Sequence, residues 1–191
     1  MKRSALILFI LAAVAAAVGA QTLSIGGTAD NFSLTDTSGK AVTLNDMKGT
    51  NGSVFIFVSA VCPVVRAYNE RMNQLALDYK AKGINVVGVN ANVTETSETI
   101  KSHASQTFKF PVMIDRGGKL ADMVGASHTP EAYFFNAKNV LVYHGAIDND
   151  RSGRNPTSKY LRSAFDASLA GKKVEPSSVE AFGCTIARTA E

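Results

Sequence analysis

The sequence predicts an α/β fold in which a central mixed β-sheet is covered by helices on both faces, with extra strands contributed by the N-terminal part. Three observations predict this fold. Continuous apolar runs are typical of strands buried on both faces, apolar residues recur at helical spacing between those runs, and two later runs flank an asparagine-rich turn. The roughly 170 residues after the first twenty suit one domain with a full core, and no repeat or low-complexity linker divides them.

The N-terminus has the pattern of a secretory signal peptide. Lys2 and Arg3 precede an uncharged apolar run over 5–18, and small residues follow up to Ala20. The run of about 14 residues is shorter than the roughly 20 that a membrane-spanning helix needs, although an uncleaved anchor stays the alternative. We therefore expect cleavage after Ala20, a periplasmic or secreted protein, and no stable membrane insertion after cleavage.

The first predicted strands lie at one edge and in the centre of the sheet. Residues 31–34 and 41–44 are short apolar and β-branched stretches on either side of Ser38-Gly39, as in two edge strands joined by a turn. Residues 53–58 read Ser-Val-Phe-Ile-Phe-Val, a run of the kind that a strand buried on both faces needs. We expect 53–58 to be the central strand.

The segment after the central strand is predicted to be a helix that begins at Cys62. Apolar residues recur at helical spacing from Val64 to Tyr79, and Gly83 ends the pattern. Pro63 suits its position, because proline is well tolerated in the first turn of a helix. Cys62 is therefore expected where the central strand turns into a helix.

The remaining elements alternate between strands and helices and close with a hairpin and one more helix. They are a strand over 84–89, a helix after Thr94 or Thr96, a strand over 110–115, a short helix over 119–124, a hairpin of 132–135 with 140–144, and a helix from Thr157 or Ser158 to Leu169. We expect the rest to be an irregular tail. The chain thus divides into a signal peptide over 1–20, a domain over 21–171 and a tail over 172–191 that carries Cys184.

Charge and ligand-type residues exclude two classes of function. The formal net charge of +4 falls to +2 when Lys2 and Arg3 leave with the leader, and no Lys/Arg cluster remains, so we expect no nucleic-acid partner. Cys62 with a single histidine offers too few soft ligands for a metal site. We predict no metal and no other cofactor.

The two cysteines, Cys62 and Cys184, leave two interpretations open. In an oxidising compartment they can form a purely structural bridge, and closing a loop of about 120 residues would stabilise the fold by roughly 4 to 5 kcal/mol. Alternatively Cys62 is reactive, because free backbone N–H groups and the helix dipole favour a thiolate at a helix N-terminus. Arg66, one turn further on, adds positive charge if its side chain folds back, or else pairs with an acid such as Glu70.

Four features together carry a family resemblance. They are the strand over 54–58, the segment Ser59-Ala60-Val61-Cys62-Pro63, Thr129-Pro130 before a strand, and the hairpin. Over about residues 25–170 the sequence resembles the redoxin branch of the thioredoxin superfamily, the alkyl hydroperoxide reductase and thiol-specific antioxidant type. The helix start from Cys62 to Tyr68 and the tail over 183–186 are further similar to a bacterial subgroup of thioredoxin-like proteins. The resemblance implies a thioredoxin-like fold.

The resemblance also implies roles for individual residues. Cys62 takes the position of the second cysteine of a thioredoxin Cys-x-x-Cys motif, which is also the peroxidatic position, and Ser59 takes the first. Thr129-Pro130 matches the cis-proline that lies opposite the cysteine and presents backbone to a bound substrate, and Pro63 joins it in the implied substrate-binding site. Arg66 is the arginine nearest to Cys62 along the helix.

Hydroperoxide reduction is the reaction that the resemblance favours. Cys62 would attack the O–O bond and become a sulfenic acid, Cys184 would resolve it to a disulfide, and an unidentified thiol reductant would reopen the bridge. Phe55 departs from this pattern, because peroxiredoxins carry a proline there, and Arg66 is one of three candidates for the arginine that holds the thiolate. The alternatives are disulfide exchange with exported proteins and a non-catalytic domain with a structural bridge.

Overall fold

A computed structural model describes residues 22–152 and 154–188, and the predicted signal peptide lies outside these ranges. Within them the chain forms ten strands and five helices. In chain order these are β1 (Ser33–Asp36), β2 (Ala41–Thr43), α1 (Leu44–Met47), β3 (Gly52–Phe57), α2 (Pro63–Lys80), β4 (Ile84–Asn90), α3 (Ser97–Thr107), β5 (Val112–Ile114), α4 (Lys119–Val124), β6 (His128–Thr129), β7 (Glu131–Asn136), β8 (Leu141–Gly145), α5 (Tyr160–Leu169), β9 (Ser178–Val179) and β10 (Cys184–Thr185). No helix in the described ranges is long and apolar enough to cross a membrane.

Eight of the strands form one mixed sheet in the order β2-β1-β5-β4-β3-β7-β8-β9. The central strand β3 pairs in parallel with β4 and antiparallel with β7. The other two strands, β6 and β10, form a separate antiparallel ribbon. The predicted α/β fold, with a mixed central sheet between helices and extra N-terminal strands, is therefore confirmed.

The sheet separates two apolar cores, because the side chains of a strand point alternately to its two faces. Val54 and Ile56 of β3 share a core with apolar residues of α2 and α5, whereas Phe55 and Phe57 share the other core with residues of α1 and α4. All four side chains are fully buried. Each such burial contributes about 1.5 to 3 kcal/mol, so β3 is held from both sides and positions the loop that follows it.

Helix α2 carries the apolar face that the sequence predicts. Val65, Tyr68, Met72 and Leu75 lie at helical spacing and are all buried. Three residues past the end of the helix, Gly83 has a φ of 76°, a left-handed conformation that glycine adopts without a steric cost. The helix therefore ends where the chain can turn sharply into β4.

Two segments differ from the prediction. Leu44 begins α1 instead of ending a strand, because the backbone N–H and the hydroxyl of Thr43 both donate to Asp46 Oδ2, at 2.9 and 2.6 Å, and cap a helical turn. The tail is not irregular throughout, since β9 pairs in parallel with β8 at the sheet edge and β10 pairs with β6. These two-residue strands depend on partners far away in the sequence and leave no local pattern.

Candidate active site

Cys62 is the N-cap residue of α2, at the junction that the sequence predicts. Its φ and ψ of −75° and 119° are extended, and Pro63 occupies the first helical position. Since proline has no N–H, the free backbone donors of the first turn are those of Val64 and Val65. Cys62 is 2% exposed, and its side chain makes no capping hydrogen bond to these donors.

A disulfide joins Cys62 to Cys184, 122 residues further along the chain. Their Cα atoms are 6.0 Å apart, within the usual range for a bridge. Cys184 reaches this place because it lies in β10, which pairs with β6 in a register that sets Cys184 opposite Thr129. The tail, whose path the sequence leaves open, therefore brings the second cysteine to the first.

The loop before β7 faces the disulfide. The peptide bond between Thr129 and Pro130 is cis, as the resemblance implies, and both residues are buried. The carbonyl oxygen of Thr129 lies 3.3 Å from Cys62 Sγ. In the disulfide this sulfur carries no proton, so the approach is a contact; once the bridge is reduced, the thiol can donate to the same oxygen. Thr129 thus contacts Cys62 through its carbonyl oxygen and lies opposite Cys184 in the β6–β10 ribbon.

Glu95 holds the loop that leads into Cys62, and sequence reasoning missed it. Its buried carboxylate accepts hydrogen bonds from the Ser59 hydroxyl at 2.6 Å, the Ala60 N–H at 2.8 Å and the Asn90 amide at 3.0 Å. The only sequence signal is an acid shortly after a buried strand. Because Ser59 gives its single proton to Glu95, its hydroxyl fixes the loop and has no further proton to offer a substrate oxygen.

Glu131 holds the opposite loop in the same way and was also missed. Its buried carboxylate accepts from the backbone N–H groups of Ser127 and His128 at 2.9 and 3.0 Å, and from the Tyr133 hydroxyl at 2.8 Å. Burial, and then the charge of Glu131, raises the pKa of Tyr133, so this hydroxyl stays a donor. The two carboxylates brace the two loops that meet at the disulfide.

Arg66 lies on the exposed side of α2, one turn after Cys62. Within the described ranges its guanidinium makes no ion pair and no hydrogen bond, so the pairing with Glu70 is not formed. Burial chiefly lowers the pKa of His103 in α3; the charge of Glu95 opposes this shift, and the charge of Arg66 adds to it. Arg66 therefore adds positive potential to this side of the molecule without a fixed contact.

The place of Cys62 in the helix bears on its position in a Cys-x-x-Cys motif. Cys62 is the N-cap residue of α2. The residue three positions later, on the same face of the helix, is Val65, which is fully buried, and a second cysteine of the motif would have to replace it. Ser59 lies before the helix and is bonded to Glu95. This geometry favours the first position of the motif for Cys62, where the resemblance implies the second. At neither Val65 nor Ser59 is there a second thiol, so the tail supplies it.

No group of three or more His, Cys, Asp or Glu side chains in the described part of the chain is arranged to hold a metal ion. The groups that meet at Cys62 are the two sulfur atoms, the N-terminus of α2 and the loops around them.

A cysteine at a helix N-terminus, opposite a cis-proline loop and at the end of a central strand in a mixed sheet, defines a thioredoxin-fold thiol protein. The chain belongs to the AhpC/TSA family, which matches residues 25–144. Family membership covers the central strand, Cys62, the cis-proline loop and the hairpin, whereas the tail with Cys184 lies beyond the matched residues.

Three similar proteins show how far the likeness extends. A thiol-disulfide oxidoreductase ResA from Bacillus thuringiensis (strain Al Hakam) is 32% identical over 123 residues, which are 64% of this chain and 69% of that protein. The structure of a hypothetical protein from Sinorhizobium meliloti 1021 has a TM-score of 0.81 at 32% identity, and the match covers 90% of this chain and 98% of that one. A protein assigned as thiol:disulfide interchange protein DsbE from Chlorobium tepidum has a TM-score of 0.62 at 25% identity, with 78% and 99% covered. These similarities support a thiol-dependent oxidoreductase in general terms.

Proposed function

We propose that the protein is a thiol–disulfide oxidoreductase that acts on proteins outside the cytoplasm, with Cys62 as the attacking thiol and Cys184 as its resolving partner. The observation that carries the proposal is the bridge between Cys62, at the N-terminus of α2, and Cys184, in a strand that lies along the cis-proline loop. The names of the relatives support exchange between thiols and disulfides. The signal-peptide pattern supports the location.

The reaction proceeds through one mixed disulfide. In the reduced protein the Cys62 thiolate attacks one sulfur of a substrate disulfide, forms a new S–S bond and releases the other substrate sulfur as a thiolate, which takes up a proton. Cys184 then attacks Cys62 Sγ, which releases the second substrate sulfur and leaves the Cys62–Cys184 bridge. The substrate has gained two electrons and the protein has lost two. An external thiol reductant, not yet identified, restores the dithiol.

The helix N-terminus favours the first step. The thiolate is the nucleophile, and the unpaired N–H groups of Val64 and Val65 together with the positive end of the α2 dipole stabilise it. Thr129 supports substrate binding, because the strand edge that β10 now occupies can pair with an extended substrate backbone once the tail moves away. Pro63 has no N–H, and its fixed φ suits the first helical position directly after Cys62.

Hydroperoxide reduction, the reaction first expected, has weaker support than exchange with proteins. The Ser59 hydroxyl donates to Glu95, which leaves no proton for a peroxide oxygen. Phe55, a buried residue of β3, occupies the position seven residues before Cys62 where peroxiredoxins carry a proline. The relatives are named for disulfide exchange, so peroxide consumption becomes the contrasting outcome of the test.

The test compares insulin reduction and hydrogen peroxide consumption by the full chain and two variants, with dithiothreitol as the electron source. We expect the full chain to accelerate insulin reduction, Cys62→Ser to abolish the acceleration, and Cys184→Ser to accumulate a mixed disulfide between Cys62 and insulin, detected by mass spectrometry. Rapid loss of peroxide without insulin reduction would establish a peroxidase instead. No activity towards either would identify a structural bridge.

A further inference from the structure

Residues 181–188, here named the tail strap, cross the face of the domain that holds Cys62. β10 lies in the strap and pairs antiparallel with β6, with Cys184 opposite Thr129. The N–H of Ile186 donates to the carbonyl of Ser127 at 2.9 Å, so the pairing continues past the strand. The strap is thus bound as an extended backbone along the edge that the proposed function assigns to substrate.

The far end of the strap is fixed by further contacts. The Val93 N–H donates to the Ala187 carbonyl at 3.1 Å, and the Ala187 N–H donates to the Asn92 side chain at 2.9 Å. Arg188 pairs with Asp122 at 2.6 Å and donates to the Ala126 carbonyl at 2.8 Å, just after α4. The strap therefore spans the molecule from α2 to α4.

Three side chains of the strap face the domain at the two-residue spacing of a strand. Phe182 packs beside Tyr68 of α2, with ring centroids 6.3 Å apart, and Cys184 forms the bridge. Ile186 is 3% exposed and belongs to the core that contains α4 residues such as Leu120. The site thus binds an aromatic side chain two residues before the reacting cysteine and an aliphatic side chain two residues after it.

Gly183 completes the fit directly before the cysteine. A Cβ on this residue would overlap the carbonyl oxygen of Thr129, the same oxygen that lies 3.3 Å from Cys62 Sγ. Backbone cannot move aside as a flexible side chain can, so this close approach requires glycine. Thr185, by contrast, is exposed and its side chain makes no hydrogen bond within the described ranges.

We propose that the tail strap occupies the substrate site of the enzyme and has the sequence pattern of its substrates. The substrate class is an extended protein segment with an aromatic residue two positions before its disulfide cysteine, glycine directly before it and an aliphatic residue two positions after it. This inference rests on the proposed function, because it requires Cys62 to exchange with protein disulfides. The strap and the substrate compete for one site, and reduction of Cys184 frees the strap to leave it.

The test uses synthetic peptides as probes. The parent peptide has the sequence of residues 181–187 with blocked ends and is prepared as its symmetrical disulfide dimer. The protein is the reduced full chain with Cys184→Ser, so that only Cys62 can react. In each reaction Cys62 forms a mixed disulfide with one peptide and releases the other as a thiol. The rate is followed by acid quenching and mass spectrometry, and hydroxyethyl disulfide serves as a small disulfide that tests the Cys62 thiol alone.

We expect peptides carrying Phe182→Ala, Gly183→Ala or Ile186→Ala to react at least about tenfold more slowly than the parent, because each loses one element of the fit. The matched Thr185→Ala peptide should react within about twofold of the parent, because that side chain faces solvent. Equal rates for all peptides would overturn the inference and leave the proposed function standing. Reaction with hydroxyethyl disulfide but with no peptide would overturn the proposed function itself.

Discussion

The sulfur of Cys62 lies between two opposing influences. The free N–H groups of Val64 and Val65 favour a thiolate, whereas the Thr129 carbonyl, 3.3 Å away, accepts from a thiol and disfavours a negative charge. The reduced site therefore has a hydrogen-bond partner for either protonation state. Such a site suits a sulfur that is the nucleophile in one step and the sulfur under attack in the next.

The position of Cys62 in the motif can be tested by moving the second thiol. In a Cys184→Ser background, Val65→Cys should restore an internal disulfide with Cys62, because Cα atoms three residues apart across a helical turn are about 5 Å apart, within the range of a disulfide, and the Arg66 N–H closes this turn onto the Cys62 carbonyl. The control is Ser59→Cys in the same background, which should keep two free thiols. Thiol counting after mild oxidation, with peptide mapping, distinguishes them, and a bridge formed only by Ser59→Cys would restore the second-position assignment.

Glu95 holds the loop before Cys62 through the hydrogen bonds that it accepts from Ser59 and Ala60. Glu95→Gln leaves one acceptor oxygen for the donors of Ser59, Ala60 and Asn90, and turns an amide group towards at least one of them. We expect a loss of about 1 to 3 kcal/mol of unfolding free energy, since a buried donor goes unsatisfied. Urea unfolding at neutral pH measures it. The exposed Glu180→Gln is the matched control, and equal stability of both variants would contradict the role given to Glu95.

At the scale of elements, α2 and α5 are joined through Tyr79. Its ring packs edge-on against Phe165, with centroids 4.8 Å apart, and its hydroxyl donates to Asp166 at 2.8 Å. Burial, and then the hydrogen bond to Asp166, raises the pKa of Tyr79 to about 12. The pair holds the C-terminal half of α2, and with it the direction of the helix whose N-terminus bears Cys62.

This contact predicts a pH dependence with a defined sign. A tyrosine whose pKa is higher in the folded protein than the usual value near 10 contributes stability that is present below pH 10 and is lost as the pH rises through about 12. Tyr79→Phe should therefore lose about 1 kcal/mol at pH 8 and fall less steeply than the unchanged protein above pH 10. Urea unfolding across this range measures both effects. Tyr160→Phe in α5 is the control, and parallel curves for Tyr79→Phe and the unchanged protein would contradict the assignment.

Elements that leave a pattern in their own stretch of sequence could be predicted, and elements that depend on distant partners could not. The α2 face and the capped turn at Thr96, whose hydroxyl accepts from the Thr99 N–H, follow from spacing and capping chemistry. β9 and β10 have two residues each and form only because distant strands accept them. Glu95 escaped prediction for the same reason: its donors lie up to 36 residues away in the sequence and meet only in the folded chain.

At the scale of the whole molecule, the tail strap ties the two cores together across the active site. Phe182 packs on the core that contains α2, and Ile186 lies in the core that contains α4, with the Cys62–Cys184 bridge between them. The bridge closes a loop of 122 residues, which the chain-entropy model values at about 5 kcal/mol. One bridge can therefore both stabilise the fold and take part in catalysis. Its reduction potential shows whether it is easily reduced, as a catalytic bridge must be.

We expect the Cys62–Cys184 bridge to have a reduction potential of roughly −200 to −270 mV, as in exchange enzymes, because the N-terminus of α2 stabilises the Cys62 thiolate and so favours the reduced form. The full chain is equilibrated in dithiothreitol or glutathione buffers of known potential, trapped by alkylation and analysed by mass spectrometry. Circular dichroism of the reduced chain is the control, and it should show a folded protein, because both cores pack without the bridge. A potential below about −300 mV would mean that the contacts of the docked strap stabilise the oxidised form more than the helix N-terminus stabilises the reduced form. The bridge would then be structural.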